Sequence, residues 1–216
     1  MDSLTKEKIK EHYIQKGWVH ISSYHNIPDS DKVMDQGIPL RQNYYLYSNW
    51  LGISCASRFS SVLAKAYTSQ KMYDLSRLLI GENVNLFNDQ IVIKMPNDSM
   101  TFEPHYDNLY GPNKDNKVHT VNCCWILSDY DKTNGTLEVQ NRDNGKWVTL
   151  YPKKGDIVAI CGDTYHRSGE NKGEEPRGLY ACVYTESPIY LENFYYQSFY
   201  KVCMVGMPTS KETKEI

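Results

Sequence analysis

Between residues 84 and 185 the chain breaks into short β-rich runs at 84–95, 101–106, 118–127, 135–140, 146–151, 156–161, 165–168 and 177–185. Turn-forming residues separate them, as at Asn134-Gly135, Asp143-Asn144-Gly145 and Lys154-Gly155-Asp156. Strands at this spacing, with no helical segments between them, predict an all-β sandwich or barrel rather than βαβ units. Eight such runs fit a double-stranded β-helix, the jelly-roll or cupin-like core, in which two sheets pack face to face.

The residues before this region have a different pattern. Ser3 to Lys16 reads as an amphipathic helix with Leu4, Ile9, Tyr13 and Ile14 apolar and Gly17 as its stop, followed by a short strand Trp18-Val19-His20-Ile21. Residues 24–50 contain Pro28, Gly37 and Pro39 and end in the aromatic cluster Tyr44 to Trp50. They read as irregular, either folding over a pocket or packing on the core. From Arg58 to Leu79 the apolar spacing predicts two short helices broken near Thr68-Ser69 and ended by Gly81. These helices are expected to brace one sheet from outside. The whole is read as one domain, 1–216, divided into N-terminal helices and loop (1–83), a jelly-roll core (84–185) and an aromatic C-terminal extension (186–216).

Charge excludes some functions. A net charge of −2 and a pI near 6.3 offer no basic surface for nucleic acid. No apolar run reaches membrane-spanning length, and Asp2 to Lys8 is too polar for a signal peptide. The six cysteines show no Cys-x-x-Cys pair and mostly fall in strand-like runs, so they read as small buried hydrophobes in a reducing compartment. A cytoplasmic protein with a small-molecule substrate, and no nucleic-acid or membrane partner, is the expectation; oligomeric state is open.

The chemistry is concentrated in Pro104-His105-Tyr106-Asp107. On an extended strand residues i and i+2 project from one face, so His105 and Asp107 can converge on one metal ion. The pair alone is a weak signal. His166, after the apolar run Asp156 to Cys161, is the candidate third ligand. Two imidazoles and one carboxylate leave positions open on the ion, the arrangement of non-haem Fe(II) oxygenases. Arg177, eleven residues after His166 by 177 − 166 = 11, heads a run in which it shares a face with Leu179 and Ala181. An arginine on such a face requires an anion, either a ligand carboxylate or a carboxylate of the protein. Ser168 can add a hydroxyl. Asn122 either faces the pocket or satisfies a neighbour, and His12, His20, His25 and His119 lack ligand spacing.

Lys94, Pro104-His105-Tyr106-Asp107, Trp125-Ile126-Leu127 before Asn134-Gly135, Gly155-Asp156, His166-Arg167-Ser168 and Arg177 together resemble the phytanoyl-CoA dioxygenase family of Fe(II)/2-oxoglutarate oxygenases. The resemblance runs from about Leu79 to Tyr184. It implies iron ligation by His105, Asp107 and His166, and capture of the distal carboxylate of 2-oxoglutarate by Arg177 and Ser168. Lys94 matches a lysine near the cosubstrate in some members; its plain reading is a solvated lysine at a strand edge. Tyr106 stands where many relatives have glutamine, and a short Gln140 to Trp147 connection replaces the family's Pro-Gly-Ser-His stretch. The implied cofactors are Fe(II), 2-oxoglutarate and dioxygen, and the implied reaction is hydroxylation with release of succinate and CO2. Asp107 fills the position that related halogenases leave open for chloride. The rival readings are a cupin-like metal enzyme without 2-oxoglutarate and a non-catalytic jelly-roll binding module.

Overall fold

A computed structural model describes residues 3–45, 52–107 and 118–187. In chain order the elements are α1 (Ser3–Lys16), β1 (Trp18–Ile21), α2 (Ile27–Tyr45), β2 (Gly52–Ser54), a 3-10 turn at Ala56–Arg58, α3 (Ser61–Tyr67) and α4 (Gln70–Ile80). The strands β3 (Asn85–Lys94), β4 (Phe102–His105), β5 (Thr120–Ile126), β6 (Leu137–Gln140), β7 (Trp147–Leu150), β8 (Ile157–Cys161), β9 (His166–Ser168) and β10 (Arg177–Thr185) follow. They form a larger sheet, β1-β8-β5-β10-β3-β2, and a smaller one, β4-β9-β6-β7. This is the expected jelly roll, with β1 and β2 added at the two edges of the larger sheet.

Period-two alternation divides the large sheet between two cores. In one phase Ile91, Ile93, Val121, Cys123, Trp125, Ala159 and Tyr180 pack with Leu63, Met72, Leu75 and Leu79 of the helices. In the other phase Val92, Cys124, Ile126, Val158, Ile160, Leu179 and Ala181 pack with Leu137, Val139 and Leu150 of the small sheet. Every residue of β5 and β8 is therefore buried, whereas β6 alternates between buried and half-buried. Each such aliphatic side chain contributes about 1.5–3 kcal/mol on burial. The unbroken apolar runs near 120 and 157 are thus strands covered on both faces.

The helical layer follows local signals. Ser60 and Ser69 cap α3 and α4, their hydroxyls accepting from the amides of Val62 and Leu63, and of Met72. Among the described side chains of α1 only Ile9 and Tyr13 are buried, and Leu4 and Ile14 stay exposed, so its apolar face is narrower than expected.

The reading of residues 24–50 as irregular is corrected over Ile27–Tyr45, which form α2. Asn26 caps this helix by accepting from the amide of Asp29. Its buried stripe is Ser30, Val33, Gly37 and Arg41, at helical spacing but with a single aliphatic side chain, which hides it from an apolar-periodicity test. Gly37 lets the helix approach the sheet closely: a Cβ there would lie 2.5 Å from Ile91 Cδ1, which would have to move. The cluster Leu46 to Trp50 lies outside the described residues.

Cys123, Cys124, Cys161 and Cys182 are free and buried, as expected. Cys55 departs from that expectation: it is disulfide-bonded. No helix among the described residues is long and apolar enough to cross a membrane.

A candidate metal and anion site between the two sheets

β4 and β9 pair antiparallel, and the register sets His105 opposite His166. Pro104 lies within β4 and supplies no N–H, which an edge strand tolerates, and the pairing is irregular between Phe102 and His105. Asp107 follows two residues beyond His105. Its Oδ1 lies 3.7 Å from His105 Nε2 and 3.6 Å from His166 Nε2. One ligand atom from each of the three residues lies within 4.8 Å of the others. Ligand atoms bound at about 2.0–2.2 Å to a shared ion are separated by about 3–4 Å, so the spacing fits one ion.

The imidazoles are oriented by their own strands. His105 Nδ1 lies 2.7 Å from the Glu103 carbonyl oxygen, and His166 Nδ1 lies 3.0 Å from that of Thr164. A carbonyl only accepts, so each Nδ1 is the donor of its pair and each Nε2 is the ring nitrogen left facing Asp107. Asp107 is held in turn by Asn122 on β5, whose Nδ2 donates to Oδ2 at 2.9 Å. Oδ1 is left for the imidazole side. The sequence reading left Asn122 undecided; its alternation with Cys124 and Ile126 was the signal that placed it on the inner face.

Lys94 and Arg177 are cross-strand partners in the β3–β10 pair, and both are buried, at 0% and 1% exposure. This corrects the plain reading of Lys94 as a solvated strand-edge lysine: its side chain is fully buried and finds its partners on β9 and the residue after it. Lys94 Nζ donates to Ser168 Oγ at 3.1 Å and also to the carbonyl of Gly169. Arg177 Nη1 donates to the carbonyl of Gly135, its guanidinium lies 4.5 Å from the Tyr130 ring centroid, and its buried Nε has no partner.

Neither cation forms an ion pair with a carboxylate among the described residues, so the alternative of a protein carboxylate for Arg177 finds no support there. Like charges directly opposite each other on a sheet repel. Burial and the Arg177 charge together push the Lys94 ammonium down to about 7. Gly135 makes the cradle possible. Its φ is +73°, and a Cβ there would lie 2.2 Å from the Gly169 carbonyl oxygen, so the two backbones that accept from Arg177 and Lys94 touch directly.

The remaining described histidines are placed structurally, as expected. His20 Nε2 lies 2.7 Å from Asp156 Oδ2, His12 packs edge-on to Trp18, His25 stacks on Trp125 and His119 lies against Tyr13. Residues 108–117 and all but the first two residues of the C-terminal extension lie outside the described residues.

Fold and site together define a class: a jelly roll carrying a His-x-Asp…His cluster beside two buried cations. No family model matches the sequence, and no curated protein matches it. Solved structures do match the fold. The non-heme alpha ketoglutarate dependent epimerase SnoN from nogalamycin biosynthesis has a TM-score of 0.72 at 17% identity, covering 86% of this chain and 84% of that one. EctD from S. alaskensis with bound Fe has a TM-score of 0.72 at 15% identity, covering 86% and 76%. EvdO2 from Micromonospora carbonacea var. aurantiaca, complexed with 2-oxoglutarate, has a TM-score of 0.71 at 12% identity, covering 89% and 94%. At these identities the similarity establishes a shared fold.

Proposed function

We propose that this protein is an Fe(II)- and 2-oxoglutarate-dependent oxygenase that hydroxylates a small organic molecule with release of succinate and CO2. One observation carries the reading: two buried cations without a carboxylate partner among the described residues lie in the fold that holds the His105, Asp107 and His166 cluster. Buried charges are costly unless paired, and a dicarboxylate reaching from the cluster to Arg177 would pair them. The order of motifs resembling the phytanoyl-CoA dioxygenase family, and structural neighbours described as binding iron or 2-oxoglutarate, point the same way.

In this reading His105 Nε2, Asp107 Oδ1 and His166 Nε2 hold the ion and leave its remaining positions to cosubstrate and dioxygen. Iron and 2-oxoglutarate together supply the oxidising chemistry. The protein's own residues bind and orient. Arg177 presents a planar donor pair to the distal carboxylate, Ser168 offers its hydroxyl, and Lys94 adds a second charge that fixes the acid end. Asp107 occupies the third protein position, which favours hydroxylation over halide transfer. The partner is a small molecule; the charge balance supports neither nucleic acid nor a membrane surface.

Adding Fe(II) and 2-oxoglutarate without oxygen is expected to give the visible charge-transfer band of the chelate. Admitting oxygen then gives succinate, faster in the presence of substrate. A protein that binds Fe(II) with no such band, and turns over without 2-oxoglutarate, would instead be a cupin-like metal enzyme. A protein that binds no Fe(II) would be a binding module.

Lys94 gives this reading a pH dependence. In the free protein its ammonium loses its proton as pH rises through about 7, whereas a bound carboxylate favours the charged form. Binding of 2-oxoglutarate should therefore take up a proton above that pH, and affinity should fall as pH rises from 6 to about 9. The folded group titrates below an unfolded lysine near 10.4, so the cosubstrate-free protein should gain stability over that interval as pH rises. Calorimetry in two buffers of different ionisation enthalpy measures the proton uptake directly. Equal heats in both would refute it.

A further inference from the structure

We infer that Asn122 is a positioning residue that confines Asp107 to one metal bond, and that the Cys124 thiol sets the direction in which its amide points. The inference rests on the proposed iron and 2-oxoglutarate reading. Asn122 and Cys124 are alternate residues of β5, both buried on the inner face of the large sheet. Cys124 Sγ lies 3.5 Å from Asn122 Oδ1, and Asn122 Nδ2 lies 2.9 Å from Asp107 Oδ2. An asparagine side chain has one accepting end and one donating end. A thiol that donates to Oδ1 turns the NH2 toward the carboxylate, and that NH2 then occupies Oδ2. Only Oδ1 remains on the side where both imidazole Nε2 atoms lie, at 3.6 and 3.7 Å.

The consequence concerns how many positions the ion keeps open. A carboxylate free at both oxygens can chelate, and chelation by Asp107 would take one of the positions that 2-oxoglutarate and dioxygen need. Asn122 withholds the second oxygen. Burial pushes the Cys124 thiol well above its ordinary range, so it remains S–H and remains a donor. The relay therefore runs from the strand interior to the carboxylate, and no step of it requires a charge to move.

The test compares Asn122→Ala, Cys124→Ala and Cys124→Ser with the full-length parent. Anaerobic calorimetry gives the Kd for Fe(II) and, on the iron-loaded protein, the Kd for 2-oxoglutarate; absorption gives the charge-transfer band, and thermal melting of the metal-free protein monitors folding. Removing an outer-shell partner of a metal ligand typically costs 10–100-fold in affinity or activity. For Asn122→Ala the freed Oδ2 is expected to offset that cost for the ion by chelating it, so Fe(II) is held about as tightly as in the parent. The cost then falls on 2-oxoglutarate, weakened by about tenfold with a shifted band. Cys124→Ala should move in the same direction by less, and Cys124→Ser, which keeps a donor, should restore parental values.

Parental 2-oxoglutarate affinity and an unshifted band in folded Asn122→Ala would overturn the inference and leave Asn122 as a space-filling residue. Loss of Fe(II) itself from a folded Asn122→Ala would also overturn it, since the side chain would then be needed for Asp107 to bind at all. If the parent binds neither Fe(II) nor 2-oxoglutarate, the functional reading fails, which is a different result from either of these.

Discussion

Replacing Arg177 with methionine is expected to weaken 2-oxoglutarate binding by at least about 100-fold while leaving the metal-free protein no less stable. The two halves of this expectation come from one fact. Arg177 is buried, with no carboxylate partner among the described residues, and its cross-strand neighbour is another cation, Lys94. In the free protein the guanidinium carries a desolvation penalty offset by the Gly135 carbonyl and the face of Tyr130. Even buried ion pairs can often be replaced by apolar residues of similar volume at no cost, and a buried cation without a carboxylate partner has less Coulombic stabilisation to lose.

In the complex the balance reverses. Two charge-assisted hydrogen bonds to a carboxylate, at about 1.5–3 kcal/mol each, amount to two or more orders of magnitude in affinity. Calorimetric titration and thermal melting of the same variant read both effects. A structural arginine would give the opposite pair: lost stability and unchanged 2-oxoglutarate affinity.

The second large effect is expected at the cluster. His166→Ala removes a buried imidazole whose Nδ1 is already committed to the Thr164 carbonyl and whose Nε2 faces Asp107. Outer-shell partners cost 10–100-fold when removed, so loss of a direct ligand should weaken Fe(II) by more than about 100-fold. Binding to the native state alone stabilises by RT ln(1 + [L]/Kd), about 2.7 kcal/mol at 100 times Kd. Fe(II) should therefore raise the melting temperature of the parent, a chelator should reverse the rise, and the His166→Ala melting temperature should not respond to the ion. A metal-dependent rise that persists in the variant would place the ion elsewhere.

The strand positions were legible because turn chemistry and strand composition agree locally from residue 84 onward, and the two sheets follow from which runs alternate and which do not. His105 and Asp107 were legible because period two sends i and i+2 to the same face. Their meeting with His166 needed the register of β4 against β9, which sequence spacing does not contain. α2 was missed because serine, glycine and arginine occupy most of its buried stripe, so its burial is polar and steric rather than apolar. β2 was missed because Gly52-Ile53-Ser54 has one apolar side chain and becomes a strand only by pairing with β3.

Lys94 was misjudged for a related reason. A lysine at the end of an apolar run reads as a solvated strand edge until the structure shows its side chain buried against Ser168 and Gly169. The cation pair that supports the functional reading is likewise a product of cross-strand register.

The central claim is tested most directly by a crystal structure grown without oxygen in the presence of Fe(II) and 2-oxoglutarate. The predicted result is one ion bonded by His105 Nε2, Asp107 Oδ1 and His166 Nε2, with the far carboxylate of 2-oxoglutarate against Arg177 and Lys94. An ion bound away from these three side chains, or a cosubstrate whose distal end lies nowhere near the two cations, would contradict it.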